Sequence, residues 1–554
     1  MAPFVLVIIC ILILSISASA PTKVTVQLNN SSASSRSKQC VVVGGGPIAL
    51  ATALTLSNPP HCYDVIVLEQ TDKVYKYDPT MAYLYLITPR GMTWFDMFPR
   101  AYEKLRQRGL FPEGGFSTRY IIPSDPEMPM PPAVKALAPG TSLATDIRNC
   151  WIPRHSLVLL LSEYCVEQEK MRLKSKDSNI GSIQLVYGKK VESVRSDTAG
   201  MLTVKCDDNT SYSAALVVGA DGMDSTVRSC LADKSESSWL QSKSKSFAVR
   251  RFKSPATGLR LNALQFPPGM KIFNTTDSTV VMRPENIYQF RSVNTGRRNK
   301  VSLSFLPMKD PNMIRPANSI SRPDHEIWSR RTGPAIKDFY VKAFPRIEFD
   351  KIVKDEEWDR FAKVNGTTFP YCQYSPGSVV SSPGGDTGVV LVGDACHAFP
   401  PDTGQGVNSG LQDVVALDRA LRGCDIQSGK ATNIRDSSLS LADALNIYQR
   451  NRGPEHKALV ELARCGAPYQ YRQSWRRDQV GAFLWLANVA LRSFLHKVTF
   501  GFVPPGAMVV MMNHELTYLQ VMRRAHFASR GLTLAFIILI TIASLLAGRS
   551  VLNK

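Results

Sequence analysis

The chemical signal in this chain is concentrated in glycine-centred turns and the acids beside them. The first turn, Gly44-Gly45-Gly46-Pro47-Ile48-Ala49, follows directly on the apolar run Cys40-Val41-Val42-Val43. A short β-branched run of that kind suits a strand buried on both faces. In a strand–turn–helix unit Gly44 permits the tight turn and Gly46 lets a pyrophosphate approach the backbone. Ala49 replaces the third glycine, where helix and strand touch. Pro47 fits the first helical turn, where its missing N–H costs nothing. The helix is expected to run through Leu50 to Leu56 and to break at Pro59-Pro60. A second strand, Asp64 to Leu68, then delivers Glu69 to the position where an acid accepts ribose hydroxyls. A glycine-rich turn alone can be no more than a tight loop. Strand, turn, helix, strand and acid together predict a dinucleotide site.

Two further turns repeat the pattern. Ala215-Leu216-Val217-Val218-Gly219-Ala220-Asp221-Gly222 is an apolar strand running into an Asp-Gly turn, followed by Ser225, Val227 and Arg228. Val389 to Leu417 contains a strand ending at Gly393-Asp394 and a glycine-rich turn, Gly404-Gln405-Gly406, that opens a helix. These segments resemble the DG and GD motifs of the FAD-dependent aromatic hydroxylases, the group A flavoprotein monooxygenases. That resemblance implies FAD. Asp394 would accept from a ribityl hydroxyl, and N–H groups at the new helix start would stabilise negative charge on the reduced ring. Asp221 and Gly222 would contact FAD and the pyridine nucleotide. Arg154, in Ile152-Pro153-Arg154-His155, matches the arginine that borders the flavin; a solvated arginine at a helix start is the plainer reading. His397 reads as a packed or hydrogen-bonded neighbour of Asp394, and no metal site is expected because no second ligand is spaced with it.

Over most of its length the chain also resembles the kynurenine 3-monooxygenases. The resemblance includes the tail segments Phe494 to Lys497, Phe502 to Val509 and Tyr518 to Arg524, and more loosely Met81 to Gly91. It implies that NADPH or NADH supplies electrons, O2 supplies the oxygen atom, and a small aromatic substrate such as L-kynurenine receives it. Asn408 matches a family active-site asparagine. Arg119 stands where a carboxylate-binding arginine is expected, a role the guanidinium fork suits. The chain departs from the family pattern at Gln412, where an acid precedes Asp413, and at Phe399-Pro400-Pro401-Asp402-Thr403, which resembles the wider hydroxylases. If that acid reads a substrate amino group, Gln412 weakens the case for kynurenine. The competing readings are a membrane-bound flavin monooxygenase acting on a phenolic or isoprenoid compound, a flavin reductase without oxygen chemistry, and a noncatalytic flavin-binding scaffold.

The elements that must position these residues follow from the rest of the chain. With 554 residues, two packed domains are expected. The fold class is α/β joined to α+β. A Rossmann-like FAD-binding domain is split over residues 38–235 and 379–478, and an antiparallel substrate domain at 236–378 is signalled by the alternation Val301, Leu303, Phe305. Residues 479–554 form a helical, membrane-associated region with a transmembrane tail at 532–548, and 1–37 an apolar signal or anchor segment with a polar linker. The excess of Arg before the tail, at Arg523, Arg524 and Arg530, places the catalytic body in the cytosol, on the mitochondrial outer membrane or the endoplasmic reticulum. A net charge of +20 favours anionic neighbours such as cofactor phosphates and lipid headgroups. Nucleic acid is not expected, since the chain shows neither zinc-finger spacing nor an RNP motif. The eleven cysteines lack a CxxC pair and read as reduced thiols.

Overall fold

The run at residues 40–43 forms the strand Gln39–Val43 at the centre of a six-stranded sheet. Side chains alternate between its two faces: Cys40 and Val42 enter one core, Val41 and Val43 another. This is why the strand carries no polar position. The structure is a computed structural model. It describes residues 38–552 except 73–82, 112–117, 122–147, 176–178, 198–199, 234–237, 270, 273–279, 283, 294–300, 346, 426–438, 472, 474 and 512. The apolar segment Phe4 to Ala20 lies outside the described residues.

The central sheet runs in the order Val379–Ser381, Gly388–Leu391, Leu216–Gly219, Gln39–Val43, Asp64–Glu69, Ile183–Tyr187. All pairings are parallel except that of the edge strand Val379–Ser381. Helices Pro47–Ser57, Arg154–Ser175, Gly406–Leu421 and Leu441–Cys465 cover one face. The meander Val191–Ser196, Leu202–Cys206, Ser211–Ala214 and the helix Thr226–Ala232 pack on the other. The described part of the chain is thus an α/β fold with helices on a mostly parallel sheet.

A second six-stranded sheet runs Thr367–Thr368, Arg260–Phe266, Arg315–Ser321, Ser302–Phe305, Ile287–Arg291, Thr118–Ile121. It is antiparallel except at its last pairing, where Thr118–Ile121 lies parallel to Ile287–Arg291. Val301, Leu303 and Phe305 are buried together with Phe266, Tyr340 and Trp358. Each such side chain contributes roughly 1.5–3 kcal/mol of burial. The sheet borrows its edge strand from residues 118–121, far from the 236–378 stretch expected to build it.

Beyond Cys465 the chain forms two long helices, Arg476–Val498 and Tyr518–Leu552. The first exposes Phe483, Leu484, Phe494 and Val498, and the turn after it leaves Phe500 99% exposed. The second contains a stretch, Tyr518–Leu545, long and apolar enough to cross a membrane. This helix begins at Tyr518, well before the apolar run starting at Leu532, because its first turn is seated on the body of the protein. Tyr518, Val521 and Met522 are buried against Ala458, Leu459 and Leu462, and Glu455 accepts from the backbone N–H of Tyr518 at 2.8 Å. A carboxylate at a helix N-terminus satisfies an orphan donor and opposes the helix dipole.

Candidate active site

Parallel register brings the three turns to one edge of the central sheet. Val43 pairs with Gly219, and Gly219 with Leu391, so Gly44, Ala220 and Val392 leave the sheet side by side. Val43 also pairs with Leu68, which places Glu69 next to the first turn. Ligands of open α/β sheets bind outside the carboxyl ends of the strands.

The first turn is built as its sequence predicts. Gly44 has φ +108°, and a Cβ there would lie 2.6 Å from the carbonyl oxygen of Ala220, so only glycine fits. Glu69 accepts from the backbone N–H of Gly45 at 2.5 Å and from that of Thr71 at 2.9 Å. Gly46 caps the helix Pro47–Ser57, and no atom lies within 4 Å of where its Cβ would be. Ala49 is fully buried at the helix–strand contact.

In the second turn Asp221 accepts from the backbone N–H of Val227 at 3.1 Å through Oδ2, while its Oδ1 is buried without a partner. Burial raises its carboxyl above the usual range. Gly222, at φ +81°, also faces open space. Arg228, at the end of this motif, holds two turns together. Its Nη2 donates to the carbonyl of Met223 at 2.7 Å and its Nη1 to that of Ala395 at 2.6 Å.

In the third turn Asp394 is exposed at the sheet edge. The surrounding protein raises its carboxyl, while His397 and Arg154 pull it down and Asp413 pushes it up. Arg154 begins the helix Arg154–Ser175, and its guanidinium lies 5.8 Å from the centre of the Tyr83 ring. Tyr83 meets Tyr85 edge to face at 5.6 Å. Burial raises the Tyr85 phenol, and the charges of both Arg154 and Asp394 act on it. Ile48, on the first helix, packs within reach of both Gly393 and Gly410. Gly406 opens the helix Gly406–Leu421 with nothing within 4 Å of its Cβ position, and Gly404 sits at φ +61°.

Behind this edge lies a buried hub that the sequence did not announce. Asp413 accepts from the backbone N–H of Gly393 at 2.9 Å, from Arg452 at 2.7 Å, and pairs with His397 at 2.7 Å and His456 at 2.9 Å. Burial alone would raise its carboxyl, but Arg452, His456 and His397 outweigh it and hold it well below the usual range. The expectation for His397 is therefore corrected: its hydrogen-bonded acid is Asp413, and it acts on Asp394 only through charge. Ligand atoms of His397, Asp413 and His456 lie within 4.8 Å of one another. The buried guanidinium of Arg452 already neutralises that carboxylate, so the arrangement is an ion-pair hub. Arg452 and His456 stand one helical turn apart, a spacing that could have pointed to a shared partner.

Asn408 is fully buried and its amide is committed to backbone. It donates to the carbonyls of Leu86 and Gly404, both at 2.9 Å, and accepts from the N–H of Thr88 at 2.8 Å. It therefore stands as a positioning residue that fixes the Gly404–Gly406 turn against the strand Leu84–Ile87. Gln412 is half-buried one turn further along the same helix, and its Oε1 has no partner. Arg119 lies on the strand Thr118–Ile121, opposite Tyr288; its side chain is outside the described residues. Asp402, within residues 399–403, is fully buried with both oxygens unpartnered, and burial raises its carboxyl well above the usual range.

These surroundings fit FAD. Open backbone at Gly46, Gly222 and Gly406, an orphaned oxygen on Asp221 and an exposed Asp394 all lie along one sheet edge. Fold and site together define an FAD-binding oxidoreductase. The profile of the FAD binding domain family matches residues 164–431. The FAD-dependent monooxygenase olcE of Penicillium canescens is 22% identical, with 80% of this chain and 83% of that protein covered. A kynurenine 3-monooxygenase of Salinispora arenicola is 31% identical over 29% of this chain and 32% of its own. Among solved structures, 2-methyl-3-hydroxypyridine-5-carboxylic acid oxygenase shares the fold with a TM-score of 0.51 at 15% identity, covering 79% of this chain and 93% of its own. The chain is thus similar over most of its length to FAD-dependent monooxygenases, an oxidoreductase class that the FAD binding domain match supports.

Proposed function

We propose that this monooxygenase uses NADPH or NADH and O2 to hydroxylate an aromatic ring, with L-kynurenine as the substrate that becomes 3-hydroxykynurenine. The observation that carries the kynurenine reading is the placement of the tail. The segment from Ala507 to Met522, part of the region that resembles kynurenine 3-monooxygenases, packs on the helix Leu441–Cys465 and reaches the Gly404–Gly406 turn. Gly44, Gly46, Ala49 and Glu69 would hold the adenosine and pyrophosphate end of FAD. Asp221, Gly222, Gly393, Asp394 and Arg154 would hold the ribityl chain and border the ring. When bound, FAD supplies the redox chemistry, taking electrons from the nicotinamide and delivering one oxygen atom of O2.

The chain's own residues have other tasks. The helix start at Gly406, with Gly404 before it, presents backbone N–H groups where negative charge gathers on a reduced ring. Asn408 fixes that start, and the second sheet would cover the ring so that water is excluded. Arg119 is assigned to the substrate carboxylate and Gln412 to the substrate side of the same helix.

Gln412 also favours a second reading. An uncharged amide where an acid is expected suits a substrate without an amino group, such as a phenolic or isoprenoid compound. The exposed apolar face from Phe483 to Phe502, beside the helix Tyr518–Leu552, supports attachment to a membrane that would hold such a substrate. The excess of Arg before the apolar stretch supports a body on the cytosolic side.

The detergent-solubilised full chain, purified with FAD, tests both readings through NADPH and NADH oxidation with and without L-kynurenine and the mass of the product. Stimulated oxidation with a product one oxygen heavier, labelled from 18O2, is expected. Stimulation by a phenolic substrate alone moves the assignment to the second reading. Nucleotide oxidation without label in any product marks a reductase.

A further inference from the structure

The first residue of the C-terminal helix touches the turn that opens the flavin helix. Tyr518 is buried, and its hydroxyl donates to Oε1 of Gln405 at 2.9 Å. Gln405 is also buried, and its Nε2 faces the carbonyl of Thr403 at 3.3 Å, so its Oε1 is left to Tyr518. Burial pushes the Tyr518 phenol up to about 12, which keeps it a donor at neutral pH. The ring is held from two further sides. Arg90 stacks on it at 4.5 Å and donates to the carbonyls of Asn513 at 2.8 Å and Leu516 at 2.7 Å. Glu455 accepts from the Tyr518 backbone N–H at 2.8 Å.

Arg90 belongs to the helix Pro89–Phe95, which Asn408 ties to the flavin helix through the N–H of Thr88. The turn at Gly404–Gly406 is thus gripped twice: Asn408 fixes its far end to the strand Leu84–Ile87, and Tyr518 fixes its middle to the C-terminal helix. Backbone freedom at Gly404 and Gly406 makes such a turn soft unless side chains hold it.

We propose that Tyr518 is a positioning residue for the flavin: through Gln405 it holds the Gly404–Gly406 turn in the conformation that receives the ring. This makes the C-terminal helix part of the cofactor site. The inference rests on the placement of FAD given above. Losing the hydroxyl leaves Gln405 with a buried acceptor unpaired, while the ring, the Arg90 stack and the Glu455 cap stay in place.

The test uses the full chain in detergent, stripped of FAD and reloaded. It compares wild type, Tyr518→Phe and Glu455→Gln by FAD dissociation constant and by the visible spectrum of the bound flavin. Glu455→Gln weakens the seating of the same helix without touching the turn. Tyr518→Phe is expected to weaken FAD about tenfold, the consequence of about 1.4 kcal/mol, and to shift the flavin spectrum. Glu455→Gln is expected to leave both near wild type. An unchanged constant and spectrum in Tyr518→Phe overturns the inference, as does an equal loss in Glu455→Gln, which would make the role one of docking alone. Wild type that takes up no FAD overturns the site assignment itself, and the inference falls with it.

Discussion

Arg228 donates to the backbone carbonyl of Ala395 at 2.6 Å, and this bond joins the Asp221-Gly222 turn to the Gly393-Asp394 turn across the sheet edge. Burial lowers the Arg228 guanidinium, with Asp221 the first of the charges opposing that shift. Each turn alone is a loop after a strand. Joined by a guanidinium, they keep Asp221 and Asp394 at a fixed separation, as the proposed placement of FAD requires.

Arg228→Met removes two charge-assisted bonds to the carbonyls of Met223 and Ala395; Met223 keeps the bond from Nε2 of Gln373 at 3.2 Å, while Ala395 loses its guanidinium donor. A loss of about 3 kcal/mol in unfolding free energy is expected, together with poor flavin retention. Denaturant unfolding and flavin content after gel filtration check this. A variant that unfolds like wild type and stays yellow would show that the turns do not need the tie.

Asp413→Asn strips the charge from the hub and leaves Arg452 buried without its carboxylate. Breaking one side of a buried pair costs about 3–5 kcal/mol. The amide also cannot accept equally from Gly393 N–H, Arg452 and two imidazoles. Urea unfolding measures the change, and a loss below about 1 kcal/mol would contradict the central place given to this acid.

His456 makes stability depend on pH. Burial lowers its imidazole to about 4, although Asp413 opposes the shift, whereas an unfolded histidine titrates near ~6.5. Between those values the unfolded chain binds a proton that the folded chain refuses, so folding free energy grows as pH rises. The contribution is complete above about pH 6.5 and is lost as pH falls toward 4, roughly 3 kcal/mol in all. His155, lowered to about 4 by burial and then by Arg154, acts in the same direction. The unfolding midpoint of wild type should fall over this window, and His456→Gln should show a shallower fall; identical slopes would remove His456 from the account.

How much of this was legible depended on where the partners lie along the chain. The three turns could be found because strand, glycines and acid fall within one short segment each, and the strands that precede them lie in one sheet. The alternation Val301, Leu303, Phe305 likewise announced a sheet with one buried face. The edge strand Thr118–Ile121 could not be placed, because parallel pairing with Ile287–Arg291 leaves no local mark. The hub was hidden for the same reason: Gly393, His397 and Asp413 sit on separate elements from the helix that carries Arg452 and His456, and none of the five alone departs from an ordinary buried or surface residue. Asn408 was found by motif, but its three backbone partners show that it holds the turn. Tyr518 was visible only as part of a resemblance, since nothing in its neighbours indicates that its hydroxyl reaches Gln405.

Asp394 separates binding from folding most cleanly. Its side chain is exposed and no hydrogen bond among the described residues holds it, so truncation removes little that the folded chain uses. Asp394→Ala is therefore expected to leave the unfolding midpoint of the FAD-free protein within about 0.5 kcal/mol of wild type. The same variant should retain almost no FAD, because it removes the acceptor proposed for a ribityl hydroxyl. Asp394→Asn keeps an acceptor of similar reach and should retain an intermediate fraction. In Arg228→Met stability and flavin content fall together, whereas in Asp394→Ala only flavin content falls. Asp394→Ala that holds a full complement of FAD would move the ribityl chain away from this turn and require another residue along the same sheet edge to bind it.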